Sequence, residues 1–113
     1  MMHILDEFFN WVGYRWRNNN KKYKNELIII GLGLGGEAGE VQEVIKKFIR
    51  DDKETLTQKR KYDLILELGD VLHYWTRICQ YFNISPEQVI LENMAKLKER
   101  DEKRAECGAD FTP

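Results

Sequence analysis

Apolar residues recur at helical spacing in four segments of this chain, and the two prolines, Pro86 and Pro113, leave the first three segments without a breaker. That pattern predicts an all-α antiparallel bundle of about four helices. The first is expected from about Ile4 to Arg17, burying Leu5, Phe8, Phe9, Val12 and Trp16, and ended by the polar run Asn18-Asn19-Asn20-Lys21-Lys22. The second covers roughly Glu26 to Arg50, with the apolar stripe Val41, Val44, Ile45, Phe48 and Ile49 in its later half. The charged stretch from Asp51 to Lys61 reads as a loop or frayed turn. The third helix, about Tyr62 to Phe82, has only Glu67, Asp70 and Arg77 as charges beyond Leu64, so it belongs in the middle of a bundle or an oligomer. Next, Ser85-Pro86-Glu87-Gln88 supplies a capping serine, a proline suited to the first helical position and the glutamine of a capping box. The fourth helix runs from there to about Arg104. Residues 1–104 are expected to form one domain, with 105–113 a loosely ordered tail.

A chain of 113 residues with 42% hydrophobic content has room for one modest core. Its 18 Lys+Arg balance 19 Asp+Glu to a net charge of -1, which argues against a protein that coats a nucleic acid polymer. The N-terminal residues lack the pattern of a secretory signal, and no apolar run approaches transmembrane length, so a cytoplasmic protein without a membrane partner is expected. Cys79 and Cys107 form no CxxC or Cys/His pair, so neither a disulfide framework nor a thiolate zinc site is supported.

Leu27-Ile28-Ile29-Ile30 followed by Gly31-Leu32-Gly33-Leu34-Gly35-Gly36 imitates a strand entering a GxGxxG dinucleotide loop. That fold needs a second buried strand, and the charged run from Asp51 to Lys61 cannot supply one. No GK[ST] follows for a P-loop. Close packing accounts better for Gly33, Gly36, Gly39 and Gly69, because glycine costs about 1 kcal/mol at a helix-interior position and needs a compensating reason. An irregular start to the second helix would explain part of the cluster equally well.

The chemistry concentrates in Glu37 and Glu40 on the second helix and Glu67 and Asp70 on the third, two pairs each spaced i, i+3. On the helical wheel Glu37 falls within the arc of Val41, Val44 and Phe48, Glu40 at its edge, and Glu43 opposite, where Lys47 can pair with it. Glu67, Asp70 and Tyr74 make a stripe beside the apolar face of the third helix. Antiparallel packing of the two stripes would bring four carboxylates together. At about 5 Å and an effective dielectric near 20, each like-charge pair costs on the order of 3 kcal/mol. A cation must compensate, or some of the acids must be protonated. All-oxygen ligands favour Mg²⁺, with Mn²⁺ as a substitute, and magnesium held by carboxylates usually shares its shell with waters and substrate phosphates.

Glu37-Ala38-Gly39-Glu40 and Glu67-Leu68-Gly69-Asp70, with their flanks Gly36, Val41, Val71 and Leu72, resemble the ExxE and ExxD signature of the MazG-like nucleotide pyrophosphohydrolases, an all-α group. The resemblance extends over about Glu26 to Arg100. It implies that Glu37, Glu40, Glu67 and Asp70 bind Mg²⁺ and serve hydrolysis of a nucleoside triphosphate to monophosphate and pyrophosphate, deoxynucleotides being the expected pool. It also implies that Asn93, Lys96 and Arg100, on one face of the fourth helix, meet the triphosphate, and that the chain assembles as a homodimer or homotetramer. Tyr74 is expected against sugar or base. Trp16, flanked by Arg15 and Arg17, is the tryptophan expected to stack on a base, whereas His73 is open between substrate contact and a structural role. The competing reading is a non-catalytic helical module that binds a protein partner or senses nucleotides, with the carboxylates as a solvated face.

Overall fold

The computed structural model describes residues 3–19 and 25–108. All four expected helices are present, α1 (Ile4–Asn19), α2 (Glu26–Arg50), α3 (Gln58–Tyr81) and α4 (Pro86–Glu106), with no strand among the described residues. None of these helices is long and apolar enough to cross a membrane. The residues after Asn19 that were expected to end α1, and the end of the tail beyond Gly108, lie outside the described residues.

Side-chain caps set three of the helix starts. Asn25 accepts from the Ile28 amide, Thr57 from that of Arg60 and Ser85 from that of Gln88. The Thr57 cap corrects the expected boundary: α3 begins four residues before Tyr62, inside the charged run, because a capped first turn needs no apolar face. The remaining turn places Lys53 and Glu54 at φ 52° and 62°. Left-handed residues of this kind cost about 1–2 kcal/mol each. Next to them, Arg60 forks onto Asp52, Nε–Oδ2 2.6 Å and Nη2–Oδ1 3.2 Å, tying the start of α3 to the end of α2.

The chain divides into two units, one ending at Phe82 and the other beginning at Asn83. In the first, α2 and α3 pack antiparallel. Arg77 binds Glu26, Tyr74 meets Gly33, and Arg60 binds Asp52, so the sum of the paired numbers stays nearly constant along the contact. α1 runs antiparallel to α3, with Gln80 Nε2 donating to the Phe9 carbonyl at 2.6 Å and Trp16 Nε1 donating to His73 Nε2 at 3.1 Å. Helix α3 is therefore central to this unit, as its sparse charges suggest. The core joins Val12, Trp16 and Ile30, with Phe8, Ile29, Tyr74 and Ile78 packed against it. Leu5, Ile45 and Ile49, expected inside, are exposed, since they lie outside the cluster that Val12 and Trp16 of α1 form with Ile30 of α2. The second unit is α4, whose exposed residues include Ile90, Leu91 and Met94.

The GLGLGG segment lies wholly within α2, which is neither a strand-loop junction nor an irregular start. Close packing explains Gly33 alone. A Cβ built there would come within 2.6 Å of Tyr74 Cζ, whereas at Gly36, Gly39 and Gly69 it would meet nothing within 4 Å. Gly33→Ala should therefore cost about 1–3 kcal/mol by overpacking, more than its helix-propensity gain of about 1 kcal/mol. In urea denaturation, combining it with Tyr74→Leu should lose less than the sum of the two single losses, and strict additivity would contradict a contact.

Thr76 is fully buried and its hydroxyl has no hydrogen-bond partner among the described residues. Replacing it with isosteric valine removes an unsatisfied group, so Thr76→Val should raise unfolding stability by up to about 1–2 kcal/mol, read from the denaturation midpoint at unchanged slope.

Candidate functional site

The antiparallel register of α2 and α3 brings the acidic stripes face to face. One carboxylate oxygen from each of Glu37, Glu67 and Asp70 lies within 4.8 Å of the others, with Glu37 and Glu67 half-buried and Asp70 exposed. Glu40 is exposed and outside this trio, a turn further along α2, though its charge still acts on Glu37. Glu43 is solvated as expected, but pairs loosely with Lys46, at 3.8 Å, instead of Lys47.

None of the ion pairs among the described residues involves the trio. The Glu37 carboxyl is accordingly held above its ordinary value of 4.5, first by lost hydration and then by the charges of Asp70, Glu67 and Glu40. Ligand oxygens on opposite sides of a magnesium ion stand roughly 4.2 Å apart, and those on calcium about 5 Å. The donor set and its spacing therefore suit a hard divalent cation after small side-chain adjustments.

Beside the trio opens a cavity of about 510 Å³. Glu37 and Asp70 line one part of it, and Phe8, Trp11, Arg15, Leu66, Gly69, His73 and Tyr74 the rest. Helix α1 contributes Phe8, Trp11 and Arg15 at i, i+3, i+7, a single face. The Arg15 guanidinium lies 5.9 Å from the Trp11 ring centre, and Trp11 meets His73 edge-on at 6.0 Å. Tyr74, expected against sugar or base, lines the cavity with its ring held against Gly33.

Trp16 is elsewhere. It is buried in the core and does not line the cavity; its indole N–H is used on His73. Trp11, Arg15 and Phe8 are the residues that sequence reasoning missed. Their common face, one position off the Val12 and Trp16 stripe, was the available signal. Asn93, Lys96 and Arg100 share a face of α4 in the second unit and are exposed there. Arg100 faces its neighbour Asp101 at 3.8 Å.

An all-helical domain with a carboxylate trio opening onto an aromatic and cationic cavity has the parts of a metal-dependent nucleotide hydrolase. Residues 28–105 match the family model of the MazG nucleotide pyrophosphohydrolase domain, and the chain belongs to that family. Gene 37 protein of Mycobacterium phage L5 is 35% identical over 77 residues, which cover 68% of each protein. No solved structure matches.

The raised Glu37 carboxyl has a defined consequence for stability. Between 4.5 and its higher folded value the native state binds the proton more tightly than the unfolded chain, so this stabilisation is present below 4.5 and lost as pH rises through the folded value. Asp51 and Asp52, lowered chiefly by hydrogen bonds from Arg50 and Arg60, act in the opposite sense. The difference between Glu37→Gln and wild type isolates Glu37. The variant should melt higher at pH 7 without divalent cations, and the gap should narrow on acidification towards pH 4.5. An equal or lower melting temperature at pH 7 would refute the repulsion.

Proposed function

We propose that this chain is a Mg²⁺-dependent hydrolase that converts nucleoside triphosphates, with deoxynucleotides as the expected pool, to monophosphate and pyrophosphate. The observation that carries the reading is the juxtaposition of the Glu37, Glu67 and Asp70 trio with the aromatic and cationic wall of one cavity. A triphosphate brings charge that needs a cation, and its base brings a flat apolar face. The cavity offers a place for each.

Glu37, Glu67 and Asp70 would hold the metal, with Glu40 joining when a cation draws the side chains together or when a second ion is taken up. Mn²⁺ would suit the same oxygen set. When bound, the metal supplies positive charge to the phosphate oxygens and a more acidic water. Water is the second substrate: its oxygen joins one phosphoryl group as the α–β anhydride breaks, and pyrophosphate and nucleoside monophosphate leave. The protein's own contribution is orientation and the exclusion of bulk water. Trp11 offers a face to the base and Tyr74 one to sugar or base. Asn93, Lys96 and Arg100 enter the proposal as triphosphate contacts on the family resemblance alone.

A homo-oligomer, at least a dimer, belongs to the same proposal. Leu32 is 72% exposed, Ile65 55% and Leu68 50%, and monomeric proteins rarely leave so much apolar helix surface in water. A cytoplasmic nucleotide-pool role fits this chemistry, with no membrane or nucleic acid polymer as partner.

Pyrophosphate release from a panel of ribo- and deoxynucleoside triphosphates, with and without Mg²⁺, tests the reading. Release should require the metal, and Asp70→Ala and Glu67→Ala should each reduce it by about two orders of magnitude or more while the helical circular dichroism is retained. Full activity in either variant would sink the assignment. No release from any nucleotide, with no thermal stabilisation by Mg²⁺ plus nucleotide, would favour the non-catalytic module.

A further inference from the structure

Among the described residues, Arg15 is the only lysine or arginine lining the cavity that Glu37 and Asp70 also line. Its guanidinium is positioned but not neutralised. It lies 5.9 Å from the ring centre of Trp11, one turn back on α1, and one of its nitrogens is 3.3 Å from His73 Nε2. That acceptor is already in use, because Trp16 Nε1 donates to the same atom at 3.1 Å and a neutral imidazole has a single accepting lone pair. Arg15 takes part in none of the ion pairs among the described residues, although two carboxylates line the same cavity. A planar fork of donors therefore borders the cavity with its charge unpaired and most of its hydrogen bonds unspent.

We propose that Arg15 is a phosphate-binding residue of this site, taking the oxygens of a metal-bound triphosphate that the metal leaves free. The inference rests on the nucleotide-hydrolase reading and deepens it. His73, which Arg15 touches, follows Asp70 by one turn of α3, and neighbours at i, i+3 are about 5–6 Å apart at Cβ. The guanidinium thus stands about a turn away from a carboxylate assigned to the metal. A tetrahedral phosphoryl group that gives one oxygen to the cation turns its others away from it. Those oxygens are repelled by the acids and matched by a guanidinium fork. The separation of Arg15 from the acids suits this division: paired with them directly it would compete with the metal, whereas a turn away it meets the anion that the metal brings. Asn93, Lys96 and Arg100 belong to the second unit, while Arg15 shares a cavity with the acids of the first.

Inorganic tripolyphosphate, which has the phosphate chain without base or sugar, tests this on the full chain. In calorimetric titrations with Mg²⁺ present, its affinity should fall at least about tenfold in Arg15→Gln, the worth of a charge-assisted hydrogen bond, and less in Arg15→Lys, which keeps the charge but not the fork. Arg17→Gln makes the same change in net charge on a side chain that lines a different cavity, and should stay within about twofold of wild type. Mn²⁺ alone, followed by electron paramagnetic resonance, should bind Arg15→Gln at least as tightly as wild type, because a nearby positive charge has gone. Weaker Mn²⁺ binding in that variant would mark a structural role and overturn the proposal. So would an unchanged tripolyphosphate affinity in Arg15→Gln, an equal loss in Arg17→Gln, or a wild type that binds no tripolyphosphate with Mg²⁺. Arg15-dependent binding in a protein that releases pyrophosphate from no nucleoside triphosphate would refute catalysis and leave the phosphate contact standing. Metal-dependent release that Arg15→Gln leaves intact would do the reverse.

Discussion

Mutual repulsion among Glu37, Glu67 and Asp70 is the constraint around which this unit is arranged. Carboxylates free in solution would move apart, and no lysine or arginine among the described residues pairs with these three. They are held by the long antiparallel contact between α2 and α3. That contact is anchored outside the acidic zone, by Arg77 on Glu26 and the Tyr74 ring on Gly33 towards one end, and by the Arg60–Asp52 fork at the other. Favourable charge pairs and close packing at the ends thus hold unfavourable ones together in the middle. Such a distribution is typical of sites where local stability is given up for binding, since a ligand that neutralises the trio recovers the loss.

The helices and the acidic register were legible because they depend on periodicity, which a single sequence carries in full. Two i, i+3 acid pairs on neighbouring amphipathic helices can face one another across a packed pair, and a short connection makes that pair antiparallel. The start of α3 was hidden because a one-residue cap at Thr57 lets a helix begin inside the charged stretch from Asp51 to Lys61 that reads as loop. The glycine-rich segment misled in another way. Seen alone it imitates a phosphate loop, and seen as helix it suggests general close packing, yet only Gly33 touches a facing side chain. Which glycine matters depends on where the Tyr74 ring lands, a tertiary fact.

The tryptophans mark the limit of wheel arguments. Trp11 and Trp16 both sit near the apolar side of α1, and flanking arginines singled out Trp16. In the structure Trp16 belongs to the Val12 and Ile30 core, while Trp11 and Arg15, rotated towards the acidic side of α3, face the cavity. Five residues, about 140° around the helix, separate Trp11 from Trp16, so the wheel puts them on different faces but does not say which face meets the core and which the cavity. The role of Glu40 was blurred for the same reason. Its place at the edge of the arc leaves it exposed, and whether an edge residue reaches the trio depends on side-chain length and on what draws it in.

His73 connects these two levels. Sequence alone leaves a histidine's tautomer undetermined, because either nitrogen can hold the proton. Packing decides it here, since the buried Trp16 must spend its N–H on an acceptor and His73 supplies that acceptor. Burial, and secondarily the charge of Arg15, lowers the pKa of the imidazole below its ordinary 6.5 against the weaker opposing pull of Asp70, so the neutral ring is favoured above that pH. A core residue thereby determines which nitrogen of His73 carries the ring proton. The tryptophan that does not line the cavity still orients a residue that does, through one hydrogen bond.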